Sequence, residues 1–89
     1  MIQIELHHSF VKSFDKRIKS NPKLVTKTQK RIELFKNNPA NQILKDHQLI
    51  GPKHNFRAFS ITGDIRIVYY QKSDKFVVFL DIGSHNQVY

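Results

Sequence analysis

The first six residues alternate between apolar and polar side chains, and this alternation predicts a short β-strand. Ile2, Ile4 and Leu6 fall on one side of the chain, and polar side chains stand between them. A period of two places alternate side chains on opposite faces of a strand, so one face is expected to be buried. The sequence therefore opens on a half-buried strand over residues 1–6.

The period changes to that of a helix at Phe10. Phe10, Phe14 and Ile18 fall on one helical stripe, while most residues between them are polar or charged. Ser9 directly precedes this stripe, and serine is a favoured N-cap because its hydroxyl can accept a hydrogen bond from a free backbone N–H. A first amphipathic helix is therefore expected to begin just after Ser9.

A second helix is predicted from Asn21 to Asn37. Asn21 is a favourable N-cap, and Pro22 suits the first helical position, where its missing N–H costs nothing. Apolar residues then recur at helical spacing as far as Phe35, and Pro39 prevents the helix from continuing. Because the connection between the two helices is short, they are expected to form an antiparallel hairpin.

Three further strands are predicted in the C-terminal half, at Phe56 to Thr62, Ile65 to Gln71 and Phe76 to Ile82. Their short connections predict antiparallel neighbours. Residues 40–55 are less regular, with a break at Gly51-Pro52, and form a plausible functional loop. The order β-α-α-β-β-β predicts an α+β fold with a two-helix hairpin on one face of an antiparallel sheet, which leaves the other face for function.

Composition narrows the class of protein. The chain has 15 Lys and Arg against 7 Asp and Glu, a net charge of +8 on 89 residues, which predicts an acidic partner, either nucleic acid or an acidic protein.

One domain over residues 1–89 is expected at this length, and the absence of cysteine excludes disulfides and thiolate metal sites. The longest apolar run, Phe76 to Leu80, is far shorter than the ~20 residues needed to cross a bilayer. Without a secretion signal, a cytoplasmic location is expected.

Arg66 is the cation whose position is most informative. If Ile65, Ile67 and Tyr69 pack under the helices, Arg66 lies on the open face of the sheet. An arginine among apolar residues in a central strand is costly unless it meets solvent, a carboxylate or a ligand. Its planar fork suits a phosphate, and the alternative is a structural ion pair with Asp64 or Asp81.

Two histidines, His47 and His85, lie on either side of Arg66 in the sequence. His85 lies on a polar tail after the last strand and His47 lies in the irregular loop, and each alone would be interpreted as a surface residue. Together with Arg66 they offer what RNA cleavage without a metal requires, namely two groups that can move protons near neutral pH and a cation for the phosphate. His54 carries less weight, and His7-His8 is expected at a strand-to-helix junction. No histidine pair has metal-ligand spacing, so no metal or cofactor is expected.

Several motifs together resemble a known family. They are Lys45-Asp46-His47-x-Leu49-x-Gly51, Phe56-Arg57, Asp64-Ile65-Arg66-Ile67-Val68-Tyr69, Ile82-Gly83-Ser84-His85 and the terminal Tyr89. The chain resembles the RelE/ParE toxin superfamily and is most similar to its YafQ-like branch. The resemblance implies a type II toxin that cuts messenger RNA in the ribosomal A site without a metal, and that forms a hetero-oligomer with a cognate acidic antitoxin.

The resemblance also implies roles for individual residues. It carries active-site roles to His47, Asp64, Arg66, His85 and Tyr89, with Arg66 matching the phosphate-binding arginine. Lys45, Lys53 and Arg57 are expected to contact the RNA backbone. Two positions depart from the family: Ser60 stands where YafQ-like proteins have another histidine, and Ile65 stands where they have a tryptophan.

The implied reaction is attack by a ribose 2'-hydroxyl on the adjacent phosphate. His47 is expected to act as the base and His85 as the acid, or the reverse, while Asp64 orients an imidazole or the nucleotide and Tyr89 contacts a splayed nucleotide. Two other functions fit the same sequence. ParE-like members of the superfamily inhibit DNA gyrase, and a basic RNA-binding or ribosome-binding module without catalysis would carry the same charge.

Overall fold

The computed structural model describes all residues from 1 to 89 and has the predicted α+β fold, with one additional short strand and one additional short C-terminal helix. The elements are β1 (Gln3–Leu6), α1 (His8–Arg17), α2 (Pro22–Asn37), β2 (His47–Gln48), β3 (Phe56–Ser60), β4 (Ile65–Ser73), β5 (Phe76–Ser84) and α3 (His85–Val88). Short 3₁₀ turns at Gln42–Leu44 and Gly51–Lys53 flank β2. The loop expected at residues 40–55 therefore contains an edge strand.

The five strands form one sheet in the order β1-β5-β4-β3-β2. The pairs β2–β3, β3–β4 and β4–β5 are antiparallel, as their short connections predict, whereas β1 pairs with β5 in parallel. Parallel neighbours require a crossover connection, and here the helical hairpin carries the chain from one edge of the sheet to the other. That crossover delivers β2, with His47, to the edge opposite β1.

The predicted N-cap is confirmed for α2 but not for α1. Asn21 caps α2 by accepting a hydrogen bond from the Leu24 N–H at 3.2 Å, so the prediction for that helix is confirmed. The prediction that Ser9 caps α1 is wrong, because His7 is the N-cap and its Nδ1 accepts from the Ser9 N–H at 3.1 Å. The Ser9 hydroxyl instead donates to the Leu80 carbonyl at 2.6 Å, which ties α1 to β5.

The larger hydrophobic core lies between the helices and one face of the sheet, and it includes Phe10, Ile18, Phe35, Phe59, Ile67, Tyr69 and Phe79. A smaller cluster covers the other face and consists of Leu49, Ala58, Val68 and Val88, with Phe56 packed against it. The predicted division of β4 is confirmed, since Ile67 and Tyr69 face the helices and Val68 faces away. The second face is therefore only partly covered.

None of the helices combines the length and the apolar character that crossing a bilayer requires.

Candidate active site

A pocket of about 540 Å³ opens on the sheet face that the helices leave free. Its walls come from β2, from the segment that follows it, and from α3 and the terminal Tyr89. The lining residues are His47, Gln48, Leu49, Ile50, Pro52, Lys53, His85 and Tyr89. The fold thus brings both histidines singled out in the sequence to one cavity.

His47 is held by the backbone that precedes it. β2 pairs with β3 so that His47 lies opposite Ala58, and the His47 Nδ1 lies 2.9 Å from the Lys45 carbonyl oxygen. Because a carbonyl oxygen can only accept, Nδ1 carries the proton of this bond, and Nε2 of the neutral ring is left as an acceptor. An accepting imidazole nitrogen beside an open pocket is what a general base requires.

His85 begins α3 rather than lying on a polar tail, so that prediction is wrong. The helix starts with a capping box in which the Ser84 N–H donates to the Gln87 Oε1 at 2.7 Å. Val88, only 1% exposed, packs in the smaller core cluster and anchors a helix too short to be stable alone. The His85 side chain itself is exposed, so the turn is fixed while the imidazole remains accessible.

Gly83 leaves room for the side chains that pack around the start of α3. A Cβ at this position would lie 2.7 Å from the Gln87 Oε1 and 2.8 Å from Arg17 Nη1. Such approaches are shorter than carbon contacts allow, so a larger residue would displace the cap of α3 or the Arg17 guanidinium. The glycine of the Gly83-Ser84-His85 motif therefore serves the placement of His85.

The side chains of His47, His85 and Arg66 all lie near the ring of Tyr89. Its ring centroid lies 4.5 Å from that of His85 and 6.3 Å from that of His47, and both pairs are nearly perpendicular. The Arg66 guanidinium carbon lies 5.9 Å from the same ring centroid. Burial raises the pKa of the Tyr89 phenol, against the opposing effect of the nearby Arg66 charge. The phenol therefore keeps its proton at neutral pH and can donate a hydrogen bond.

Arg66 lies beside this ring with part of its hydrogen-bonding capacity unused. Its Nη1 donates to the Ser60 hydroxyl at 3.0 Å, but its Nε is buried without a partner. The alternative of an ion pair with Asp64 or Asp81 is wrong, because neither carboxylate pairs with Arg66 and Asp81 instead binds Arg17 at 3.2 Å. A guanidinium without a carboxylate partner is suited to an anionic ligand.

The other predicted site residues divide into two groups. The Asp64 carboxylate accepts from the backbone N–H of His85 at 3.4 Å, so it contacts the start of α3 and not an imidazole. Lys53 lines the pocket, and its ammonium donates to the Val88 carbonyl at 2.7 Å. Lys45 and Arg57 are not brought to the pocket. Arg57 lies level with Tyr69 on the helix-covered face, where its Nε donates to Asp46 at 2.9 Å.

Sequence reasoning missed the apolar wall of the pocket. Leu49 is buried beneath it, whereas Ile50 is 90% exposed, and Pro52 continues the same wall. The one available signal was an apolar pair immediately before the Gly51-Pro52 break. No three His, Cys, Asp or Glu side chains are grouped closely enough to hold a metal ion.

Comparison with known proteins places this chain among bacterial toxins. The family described as "Bacterial toxin of type II toxin-antitoxin system, YafQ" matches residues 2–89. The fold is similar to that of YafQ from E. coli strain BL21(DE3), with a TM-score of 0.82, 23% identity and coverage of 100% of this chain and 99% of that one.

Two further solved structures show the same fold. One is the E. coli DinJ-YafQ toxin-antitoxin complex, with a TM-score of 0.80, 23% identity and coverage of 99% and 97% of the two chains. The other is a metal-bound toxin from Helicobacter pylori, with a TM-score of 0.76, 26% identity and full coverage of both chains. No curated protein sequence matches the chain.

Proposed function

The chain belongs to the YafQ family of bacterial type II toxin-antitoxin toxins, and from this premise we propose that it is a ribosome-dependent mRNA endoribonuclease that needs no metal. The observation that carries the proposal is the grouping of His47, His85 and Arg66 around Tyr89. Two imidazoles can transfer protons on both sides of a phosphate, and the guanidinium supplies the charge that a metal would otherwise provide.

Cleavage follows from attack by the ribose 2'-oxygen on its own 3'-phosphate. His47 takes the 2'-hydroxyl proton through Nε2, since Nδ1 is committed to the Lys45 carbonyl. His85 gives a proton to the departing 5'-oxygen as the P–O5' bond breaks. The products are a 2',3'-cyclic phosphate and a free 5'-hydroxyl, and the two histidines exchange protonation states in the reaction.

Arg66 and Tyr89 act on the phosphate and on the nucleotide. The Arg66 fork binds the phosphoryl oxygens, on which negative charge increases during attack. Tyr89 contacts a splayed nucleotide, and the apolar wall of Ile50 and Pro52 gives the same base a second surface. Asp64 keeps the first turn of α3, and with it His85, in place.

Production of the chain in cells is expected to arrest growth and to leave cuts within the codons of translated messages. Mapping RNA 5' ends after induction, and in a purified translation system with and without ribosomes, measures this directly. Adding EDTA to pre-formed ribosome complexes should have no effect beyond that on the ribosomes themselves. Intact messages accompanied by DNA breaks and stalled gyrase would instead establish gyrase inhibition, and intact messages without DNA damage would indicate a binding module.

A type II toxin is paired with an antitoxin, and we propose that this antitoxin is acidic and inhibits by covering the pocket and its neighbouring basic residues, Lys53 and Arg66, or the helical faces. The net charge of +8 motivates the charge complementarity. Titrating the product of the neighbouring gene against the toxin should give tight binding that weakens as salt rises, because salt screens exposed charge pairs. Absence of binding at micromolar concentration, or binding that leaves cleavage unaffected, would refute the proposal.

A further inference from the structure

Three polar side chains meet behind His47, on the face of the sheet that the helices cover. The Asp46 carboxylate accepts from Arg57 Nε at 2.9 Å through one oxygen and from the Tyr69 hydroxyl through the other. The Asp46 side chain is only 11% exposed, and Tyr69 is 2% exposed within the larger core. We call Asp46, Arg57 and Tyr69 the anchor.

The three side chains of the anchor satisfy one another's hydrogen-bonding groups. Burial, with a further contribution from the Asp46 charge, raises the pKa of the Tyr69 phenol, so the hydroxyl remains a donor at any physiological pH. Arg57 is always charged, and its Nε also lies 3.3 Å from the Tyr69 oxygen. Breaking one member leaves a nearly buried carboxylate with an unmet hydrogen bond, which is costly.

Asp46 directly precedes His47 in sequence, but its side chain lies on the opposite face. Asp46 directs its carboxylate toward Tyr69 in the helix-covered core, while the His47 ring lies in the pocket beside Tyr89. Because neighbouring residues of an extended chain project to opposite sides, fixing one side chain fixes the direction of the next.

The segment that carries His47 lies between two buried residues, Leu44 and Leu49, and Asp46 is the only residue between them that is not exposed. β2 is an edge strand of two residues, paired with β3 at only two positions. Lys45, just before it, has a φ of +51°, a left-handed conformation that a non-glycine residue keeps only where its surroundings enforce it. The Lys45 carbonyl is also the acceptor of the His47 Nδ1–H bond. Between the two buried leucines, the Asp46 side chain therefore provides the contact that ties the peptide orienting the imidazole to the core.

We propose that Asp46, Arg57 and Tyr69 are positioning residues that fix the left-handed turn at Lys45 and, through it, the tautomer and direction of the His47 imidazole. The inference rests on the proposed ribonuclease function, in which His47 Nε2 is the base. It also assigns Arg57 a role behind the site, in place of the expected contact with the RNA backbone.

Tyr69→Phe is the most direct test, because it removes only the hydroxyl and leaves the ring in the core. The expected result is a fall in kcat of about 10- to 100-fold with KM unchanged, since misplacing a catalytic group costs rate and not binding. Tyr70→Phe is the matched control: Tyr70 is exposed on the neighbouring position, and its variant should behave like the wild type. Arg57→Ala should also lower kcat, whereas loss of an RNA-backbone contact would raise KM and reduce the salt dependence of binding.

A double-mutant cycle separates positioning from general destabilisation. Tyr69→Phe should cost nothing further in a His47→Ala background, because the imidazole through which it acts is gone. Full additivity would overturn the proposal. If Tyr69→Phe does not fold by circular dichroism, Asp46→Asn, which keeps the side-chain shape, is measured in its place with the same two outcomes.

Nitrogen-15 NMR of the histidine rings tests the inference without any RNA. In the wild type, neutral His47 should carry its proton on Nδ1, and Tyr69→Phe should convert this single tautomer to a mixture. Unchanged His47 signals in a folded variant would show that the anchor is only structural. If the wild type has this signature but cuts no RNA, the proposed function fails while the positioning of His47 stands.

Discussion

Replacement of His85 by alanine is expected to lower the rate of RNA cleavage ~10²- to 10⁴-fold, the usual contribution of a positioned proton donor. The ring lies 4.5 Å from that of Tyr89 in the pocket and is exposed, so its removal takes nothing from the core. The helix that carries it is held by Val88 and by the Ser84–Gln87 cap. Single-turnover cleavage on programmed ribosomes, together with thermal unfolding, separates loss of chemistry from loss of structure.

His54→Ala supplies the matched control. His54 is also exposed and follows the 3₁₀ turn that borders the pocket, where its Nδ1 bonds the Gly51 carbonyl, but it does not line the pocket. Its replacement should leave cleavage near the wild-type rate. Full activity in His85→Ala would remove His85 from the mechanism, and equal losses in both variants would indicate an electrostatic effect of any nearby imidazole.

Elements set by local chemistry could be predicted from the sequence. The start of α2 follows from an Asn-Pro pair whose effect needs no distant partner. The two faces of β4 follow from a period of two, and the positions of Ile67 and Val68 in separate clusters confirm it. The same reasoning placed Arg66 on the open face, because its side follows from its neighbours.

Features that depend on distant contacts could not be predicted. Ser9 was predicted to be an N-cap because the sequence does not show that its hydroxyl donates a hydrogen bond to the Leu80 carbonyl instead. The last residues looked like a polar tail because one apolar residue, Val88, gives no periodic signal, although its burial anchors a helix. β1 was predicted as a strand, but its parallel pairing with β5 depends on the path of the helical hairpin.

In the candidate site, too, some features could be predicted from the sequence and others depend on distant contacts. The family resemblance identified His47, Arg66, His85 and Tyr89. The fold brings these four residues together, although 42 positions separate His47 from Tyr89. The partner of Arg57 was not visible in the sequence, since its distance from Asp46 depends on how β2 pairs with β3. The candidate residues could therefore be named from the sequence, while the three-dimensional structure was needed to show that Arg57 pairs with Asp46 and that Arg66 has no carboxylate partner.

Arg66→Ala is expected to reduce cleavage ~10²- to 10³-fold, comparable with the loss of one preorganised donor to a transition-state oxyanion. The Arg66 guanidinium has no carboxylate partner, so under the proposed function its charge is available to a phosphate. Arg66→Lys should recover only part of the loss, because an ammonium keeps the charge but cannot present two parallel donors or retain the fork that Ser60 orients. Under the proposed function the ribosome supplies most of the substrate binding, so the fall should appear in kcat on programmed ribosomes.

Lys75→Ala controls for the change in net charge, since it removes one exposed positive charge at the distant β4–β5 turn. It should leave kcat unchanged and alter only the salt dependence of association, because exposed charges act at long range and are screened. If Arg66→Lys were fully active, charge alone would be sufficient and bidentate binding would be excluded. If Arg66→Ala and Lys75→Ala lost activity equally, the phosphate site would not lie at Arg66, and general attraction to RNA would account for the effect.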